Sequence, residues 1–245
     1  MIRIILCEGE TDAILISYYL SKMAGWNYVK KPKLFELKFS EQDNKCCASY
    51  RNQHGDELLI CGVGGKDNFK NFFEEYIKNI IWLSPKEQYE FKIALITDRD
   101  NASINELEEH IKEQLSPVIT NVKDNSWTVN KFKNSFGTNA TIDFLLISIP
   151  RNESGALESL LMNSLSENTY DKNIVNISKE FIEEIAPNAD KYISTERLKL
   201  KSQLGVVFSI LNPEKIFYLF DERLNSVKWE TSQTLNDCFK KLLEI

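Results

Sequence analysis

The stretch that decides the fold reads Ile2-Arg3-Ile4-Ile5-Leu6-Cys7-Glu8-Gly9-Glu10-Thr11-Asp12. Residues 2–7 are mostly apolar and rich in β-branched side chains, which predicts a buried first strand. From Thr11 to Ala24 the apolar side chains recur at helical spacing, and Gly25 is a typical helix stop. A strand that leads through an acidic turn into a helix is typical of an open α/β sheet.

The same order of strand and acidic cluster recurs twice further along the chain. Asp98-Arg99-Asp100 follows a predicted strand at Phe91–Thr97, and the run from Glu153 to Glu158 follows another at Ile142–Ile149. Because ligands usually bind in the crevice at the carboxyl ends of the strands, the three clusters are expected to meet there. Carboxylates gathered in one crevice repel one another unless a cation lies between them, and oxygen ligands suit Mg²⁺ or Mn²⁺. The sequence therefore predicts a metal-dependent phosphoryl-transfer site.

The remaining patterns predict an α/β fold with a mostly parallel sheet flanked by helices and a helical C-terminal extension. Residues 1–165 would form the sheet domain, with a hairpin inserted at 33–57. Residues 166–245 would form the helical extension, and the sequence leaves open whether they pack on the sheet or form a small subdomain. Further predicted elements are a hairpin of Lys45–Arg51 and Asp56–Val63, helices at Asp67–Leu83, Ser103–Leu115, Ser178–Ile185, Thr195–Leu211 and Ser232–Leu243, and short strands at Pro117–Val122 and Ser126–Phe132.

Composition limits the class of protein. With 42% hydrophobic and 27% charged residues, the chain is expected to be globular, not disordered. No apolar run is long enough to span a membrane, and the apolar stretch before Glu8 is too short for a signal peptide, so we expect a cytoplasmic protein. The net charge of −6 disfavours coating of nucleic acid by bulk electrostatics. This net charge is compatible with local basic grooves, for which residues 30–33, 131–133 and 197–201 are the candidates.

Several other kinds of site are disfavoured. Two histidines leave little for histidine-based catalysis, and five irregularly spaced cysteines predict neither a zinc site nor a disulfide framework. Gly64-Gly65-Lys66 lacks the earlier glycine and the following Ser or Thr of a phosphate-binding P-loop. A tight turn is the simpler interpretation there, with Lys66 as a candidate phosphate contact.

Helix capping is the alternative interpretation of the acidic clusters, because acids are favoured at helix N-termini. Asp98 and Asp100, however, flank a single residue. In an extended chain their side chains would point the same way and could share one cation. A cap needs one acid, not two.

These motifs together resemble the Toprim domain of type IA and type II topoisomerases, bacterial primases and OLD (overcoming lysogenisation defect) nucleases. The chain is most similar to OLD-type and small stand-alone Toprim-like proteins. The resemblance covers residues 1–165 and a lysine-bearing helix beyond them. It is carried by Ile5–Asp12, Val63–Phe69, Asp98–Asp100, Ile149–Glu158 and Lys199-Leu200-Lys201.

The resemblance implies a role for each of six residues. Glu8 would be the general acid/base or a metal ligand, with Asp12 supporting it. Asp98 and Asp100 would hold Mg²⁺ or Mn²⁺, and Glu158 would complete a second metal position. Lys201 would neutralise charge on the phosphate, and two metals could stabilise both the attacking and the leaving oxygens. The choices of Glu158 over Glu153 and of Lys201 over Lys199 stay open.

The expected activity is therefore metal-dependent hydrolysis of nucleic-acid phosphodiester bonds. DNA ranks ahead of RNA as substrate, although the sequence does not choose between them, and a homodimer is left open. OLD-type domains are usually attached to an ATPase, so the resemblance also implies a separate ATPase partner. The rival hypothesis is a regulatory module that binds metal and nucleic acid without turnover.

Overall fold

A computed structural model of the chain describes residues 1–32, 37, 45–82, 90–213 and 229–245. In this part of the chain a single sheet contains seven strands, in the order β2-β3-β4-β1-β5-β7-β6. The strands are β1 Ile2–Cys7, β2 Asn27–Tyr28, β3 Cys46–Arg51, β4 Glu57–Gly62, β5 Glu90–Asp98, β6 Thr128–Lys133 and β7 Asn139–Ile149. The four central strands β4, β1, β5 and β7 are parallel, and the outer strands are antiparallel.

Helices cover both faces of this sheet, so the predicted α/β class is confirmed. One face carries α1 Glu10–Ala24, α5 Leu157–Leu165, α7 Glu196–Leu211 and α8 Gln233–Phe239, and α6 Thr169–Ile185 packs on α7. The other face carries α2 Phe69–Phe72, a π-helical turn Phe73–Ile77, α3 Lys78–Trp82 and α4 Ile104–Leu115. Short 3₁₀ turns lie at Lys66–Asn68, Ala186–Asn188 and Lys240–Glu244. No described helix combines the length and apolar character needed to cross a membrane.

The first strand and helix form as their sequence predicts. Alternate side chains of β1 enter the two cores, with Ile5 packed toward α1 and Ile4 packed toward α2. Helix α1 ends at Gly25, which has a φ of 68° and donates its N–H to the carbonyl groups of Leu20 and Ser21. A left-handed residue of this kind satisfies the last carbonyls of a helix, and glycine adopts it without steric cost.

The C-terminal helices share a core with the sheet, which answers the question the sequence left open. Leu204 and Phe208 of α7 are buried together with residues of β1 and α1. Tyr19 of α1 packs edge-on against Trp229, with ring centroids 6.0 Å apart, and against Phe239 at 5.4 Å. Such aromatic contacts bury large apolar surfaces, so the extension is packed on the sheet domain.

Two predicted elements differ from the structure, and others lie partly outside the described residues. Residues 117–122 do not form a strand, because the N–H groups of Thr120 and Asn121 donate to the Asn130 side-chain oxygen instead of to a neighbouring strand. Helix α6 begins at Thr169, ahead of the predicted start at Ser178. The arms of the predicted hairpin are β3 and β4. Residues 33–36 and 38–44 of the predicted insertion lie outside the described residues, and so does Leu83, the predicted end of the helix that starts at Asp67.

The cysteines also differ from expectation in one respect. Cys47 and Cys61 form a disulfide, while Cys7, Cys46 and Cys238 are free thiols. The two bonded residues face each other across β3 and β4. Since the pairing depends on the register of two strands, the irregular spacing in the sequence does not reveal it.

We expect opposite effects from alanine at two glycines. A Cβ at Gly62 would lie 2.7 Å from the backbone of Gly9 and 2.9 Å from Cys46 Sγ, whereas a Cβ at Gly205 in α7 meets nothing within 4 Å. Gly62→Ala should therefore lower the free energy of unfolding by about 1–3 kcal/mol. Gly205→Ala should raise it by about 0.5–1 kcal/mol, because alanine is the better helix former. Urea denaturation of both variants measures this, and equal changes would contradict the close approach at Gly62.

Candidate metal and phosphate site

An open cleft of about 680 Å³ lies at the carboxyl edge of the central strands. Glu8 directly follows β1, Asp98 ends β5, and Glu158 lies in the first turn of α5, after β7. Gly64 and Gly65, which follow β4, also line the cleft. The three acidic clusters predicted to meet at this edge thus each contribute to one cleft, which is where α/β sheets usually bind ligands.

Glu8 is held in place by the neighbouring strand. Its side chain is 4% exposed, and its Oε1 accepts hydrogen bonds from the Asp98 amide at 2.9 Å and from the Thr97 hydroxyl. Burial raises the pKa of Glu8, although the hydrogen bond from Thr97 opposes the shift. The carboxylate is therefore oriented before any ligand binds.

Asp98 is the most strongly perturbed acid of the cleft. It is 5% exposed, its Oδ1 accepts the Leu157 N–H at 3.0 Å, and its Oδ2 lies 3.8 Å from the Arg197 guanidinium. Burial, followed by the negative charges of Glu8, Asp12 and Glu158, raises the pKa of Asp98 to about 8. These effects therefore favour the protonated form of Asp98 when no cation is present, whereas Arg197 favours the ionised form.

Asp12 combines the two roles that the sequence offered as alternatives. It accepts the Gly9 N–H at 2.9 Å, as a residue at the start of a helix does, and it also lines the cleft. Burial, then the charges of Glu8 and Glu158, raises the pKa of Asp12 to about 6. Helix capping and membership of an acidic cluster are thus compatible here.

Asp100 is the one predicted ligand that does not line the cleft. Its φ of 52° turns the chain, so Asp98 and Asp100 do not follow each other in an extended strand. The Asp100 side chain is 50% exposed and accepts a hydrogen bond from Lys66 Nζ at 2.9 Å. The expectation that both carboxylates point the same way depended on an extended backbone, which the structure does not have at this position.

The sequence left two choices open, Glu158 or Glu153 and Lys201 or Lys199, and the members of each pair lie in different places. Glu158 lines the cleft, whereas Glu153 lies in a neighbouring hollow and accepts a hydrogen bond from Asn163. Lys201 lines the cleft, whereas Lys199 forms an ion pair with Glu196 at 2.6 Å. Of these four residues, Glu158 and Lys201 are therefore the two available to a ligand in the cleft.

Arg197 is a cleft residue that belongs to the predicted basic groove at 197–201 but was not predicted as a residue of the site. It precedes Lys201 by four residues, so both side chains project from the same face of α7. That spacing was the signal in the sequence, where the resemblance had already implied that Lys201 reaches the site. Within the described chain Lys201 has no ion-pair partner.

The carboxylate oxygens of the cleft are suitable ligands for a hard cation, but they are too far apart to surround one. Glu8, Asp12, Asp98 and Glu158 supply only oxygen ligands, which Mg²⁺ and Mn²⁺ prefer. Among the described residues, no three acidic, imidazole or thiol side chains lie close enough together to hold an ion as they stand. The chemistry of the cleft therefore fits these ions, and binding would require the carboxylates to move toward one another.

The chain belongs to a family described as protein of unknown function (DUF3226), whose model matches residues 2–244. Among solved structures it is similar to the hypothetical protein PH0156 from Pyrococcus horikoshii OT3. The two are 17% identical, with a TM-score of 0.50 over 99% of this chain and 98% of that chain. At this identity the likeness shows a shared fold alone. A search of curated proteins gave no match.

We expect the ion-free protein to lose stability as pH rises through the pKa of Asp98. The ordinary pKa of the side chain is 3.8 and its folded value is about 8, so between them the folded chain binds a proton that the unfolded chain has released. The free energy of unfolding should then fall by about 2 kcal/mol between about pH 6 and about pH 8.5. Urea denaturation in EDTA at both pH values measures the change.

Asp98→Asn is the matched control for this effect, because asparagine is close in shape and does not titrate. Its free energy of unfolding should change less over the same pH interval. Equal pH dependence in the two proteins would show that Asp98 titrates normally in the folded chain.

Proposed function

We propose that this protein is a divalent-metal-dependent phosphodiesterase of the Toprim type that acts on nucleic acid. One observation carries the proposal: a single cleft is lined both by carboxylates from three distant segments, which we call the acidic wall, and by Arg197 and Lys201 of α7, which we call the basic wall. Acids alone would suggest a cation site, and bases alone would suggest an anion site. Their presence in one cleft suits a cation and a phosphate that bind side by side.

The acidic wall would hold the cation. Glu8, Asp98 and Glu158 would bind it, and Asp12 keeps the turn between β1 and α1 in position through its bond to Gly9. A bound Mg²⁺ or Mn²⁺ would supply Lewis-acid stabilisation of charge on the phosphodiester and activate water. Because the raised pKa of Asp98 favours its protonated form when no ion is bound, ion binding would release a proton and should strengthen as pH rises.

The basic wall would bind the phosphate. Lys201 has no competing carboxylate within the described chain, and Arg197 offers a planar group that can donate two hydrogen bonds to phosphate oxygens. Arg197 lies 3.8 Å from Asp98, so in the free protein it also offsets part of the negative charge of the cleft. These two side chains supply the local basic groove that the overall charge of −6 does not provide.

The direct test is cleavage of a panel of supercoiled, linear and single-stranded DNA and structured RNA, with Mg²⁺ or Mn²⁺. The wild type should cut at least one polymer, and EDTA should abolish cutting. Asp98→Asn and Glu8→Gln should each reduce the rate by about a hundredfold or more while the protein stays folded. Both substitutions preserve shape and remove only charge, and circular dichroism checks the fold.

Two other outcomes would argue against the proposal. Equal cutting by wild type and Asp98→Asn would place the activity elsewhere. Binding of Mn²⁺ without cutting, also after addition of an ATPase partner of the OLD type, would assign the chain to the class of regulatory modules that bind metal without turnover.

Two lysines of α7 form a matched pair for testing the basic wall. Lys201→Met should lower the cleavage rate by about a hundredfold, because it removes a cation that faces the phosphate. Lys199→Met should leave the rate within about threefold, since an exposed ion pair such as that with Glu196 contributes little. The ratio of the two rates is the measurement, and the reverse order would contradict the placement of α7.

A further inference from the structure

Lys66 joins two of the loops at the cleft edge through its ammonium group. Its Nζ donates to the Asp98 backbone carbonyl at 2.7 Å and to Asp100 Oδ2 at 2.9 Å. The lysine side chain is 23% exposed, so the ammonium is partly withdrawn from water. Charge-assisted hydrogen bonds of this length are among the stronger polar contacts in proteins.

The turn that carries Lys66 is fixed from both sides. The Gly65 N–H donates to the Glu8 carbonyl at 2.7 Å, and the Asn68 side chain donates to the Gly64 carbonyl at 2.9 Å. Gly65 has a φ of 124°, a conformation that L side chains rarely adopt. Because the backbone is held in this way, the start of the lysine side chain has little freedom to move away from β5.

The backbone of Asp100 is held in a similar way. Its N–H donates to the Gly155 carbonyl at 2.7 Å, and its carbonyl accepts the Gly155 N–H at 2.8 Å. This short antiparallel pairing joins the turn after β5 to the segment before α5. Asp100 therefore reaches Lys66 from an anchored position outside the cleft lining.

We infer that Lys66 is a built-in cation that takes the place of a second divalent ion, so that the chain binds one such ion and Asp100 is not a ligand. This inference rests on the proposed function, because it concerns the cation count of the same cleft. A second ion on Asp100 would have to approach an ammonium group that already lies 2.9 Å from that carboxylate. Repulsion between the two cations disfavours that arrangement.

The number of ions bound per chain tests the inference without reference to activity. Mn²⁺ is titrated into the full chain and the free ion is counted by electron paramagnetic resonance. Wild type should bind one Mn²⁺, and Lys66→Met should bind two, because methionine keeps the length of the stem and frees Asp100. Lys66→Met combined with Asp100→Asn should return to one ion.

Lys70→Met is the matched control. It makes the same change of charge on α2, where the lysine is exposed and has no contact with Asp100. It should bind one ion, as wild type does. A second ion in Lys70→Met would show that net charge, not the position of Lys66, sets the count, and would overturn the inference.

Asp100→Asn in the wild-type background keeps the test decisive if Lys66→Met does not fold. We expect the Mn²⁺ dissociation constant of Asp100→Asn to stay close to that of wild type. A loss of affinity of about tenfold or more would make Asp100 a ligand and overturn the inference. Two ions on wild type would overturn it as well, while leaving the proposed function intact. No Mn²⁺ on wild type would remove the cation site itself, and with it both proposals.

Discussion

The hydrogen bond from the Asp98 amide to the Glu8 carboxylate joins the ends of two neighbouring central strands, β5 and β1. It forms because the parallel register places Cys7 beside Ile96, so that Glu8, which follows β1, lies beside the last residues of β5. The Thr97 hydroxyl binds the same oxygen and fixes the carboxylate further. The remaining groups of the cleft are arranged around this contact, with α5 on one side and the turn after β4 on the other.

Such an arrangement concentrates like charge where little water is present, and the structure limits the cost in three ways. Asp98 accepts the amide at the start of α5, where the helix dipole favours a negative charge. Arg197 and Lys66 bring positive charge to Asp98 and to Asp100, respectively. The raised pKa values of Asp98 and Asp12 allow protons to neutralise the negative charge that Arg197 and Lys66 leave. A cleft that is neutralised in several partial ways is well suited to exchange protons for a cation.

Much of this cleft could be predicted from the sequence, because each acidic cluster follows a run with a clear strand pattern. Glu8, Asp12, Asp98 and Glu158 were found in this way, and all of them line the cleft. Asp100 was misplaced because its left-handed backbone depends on pairing with Gly155, which lies far away in the chain. The Cys47–Cys61 disulfide was missed because it depends on the register of β3 and β4. The non-strand segment 117–122 was missed because its N–H groups bind the side chain of Asn130.

The sequence by itself determined the α/β class, the order of strand, acid and helix, and the residue types at the ends of the central strands. These properties are local, because a strand or a helix is set by the periodicity of its own side chains. Only the tertiary structure decided that α7 folds over the cleft, which brings Arg197 and Lys201 to the acids and leaves Lys199 outside. It also decided that Lys66, not the cleft, holds Asp100. Contacts of this kind depend on packing between segments far apart in the chain, and no local pattern records them.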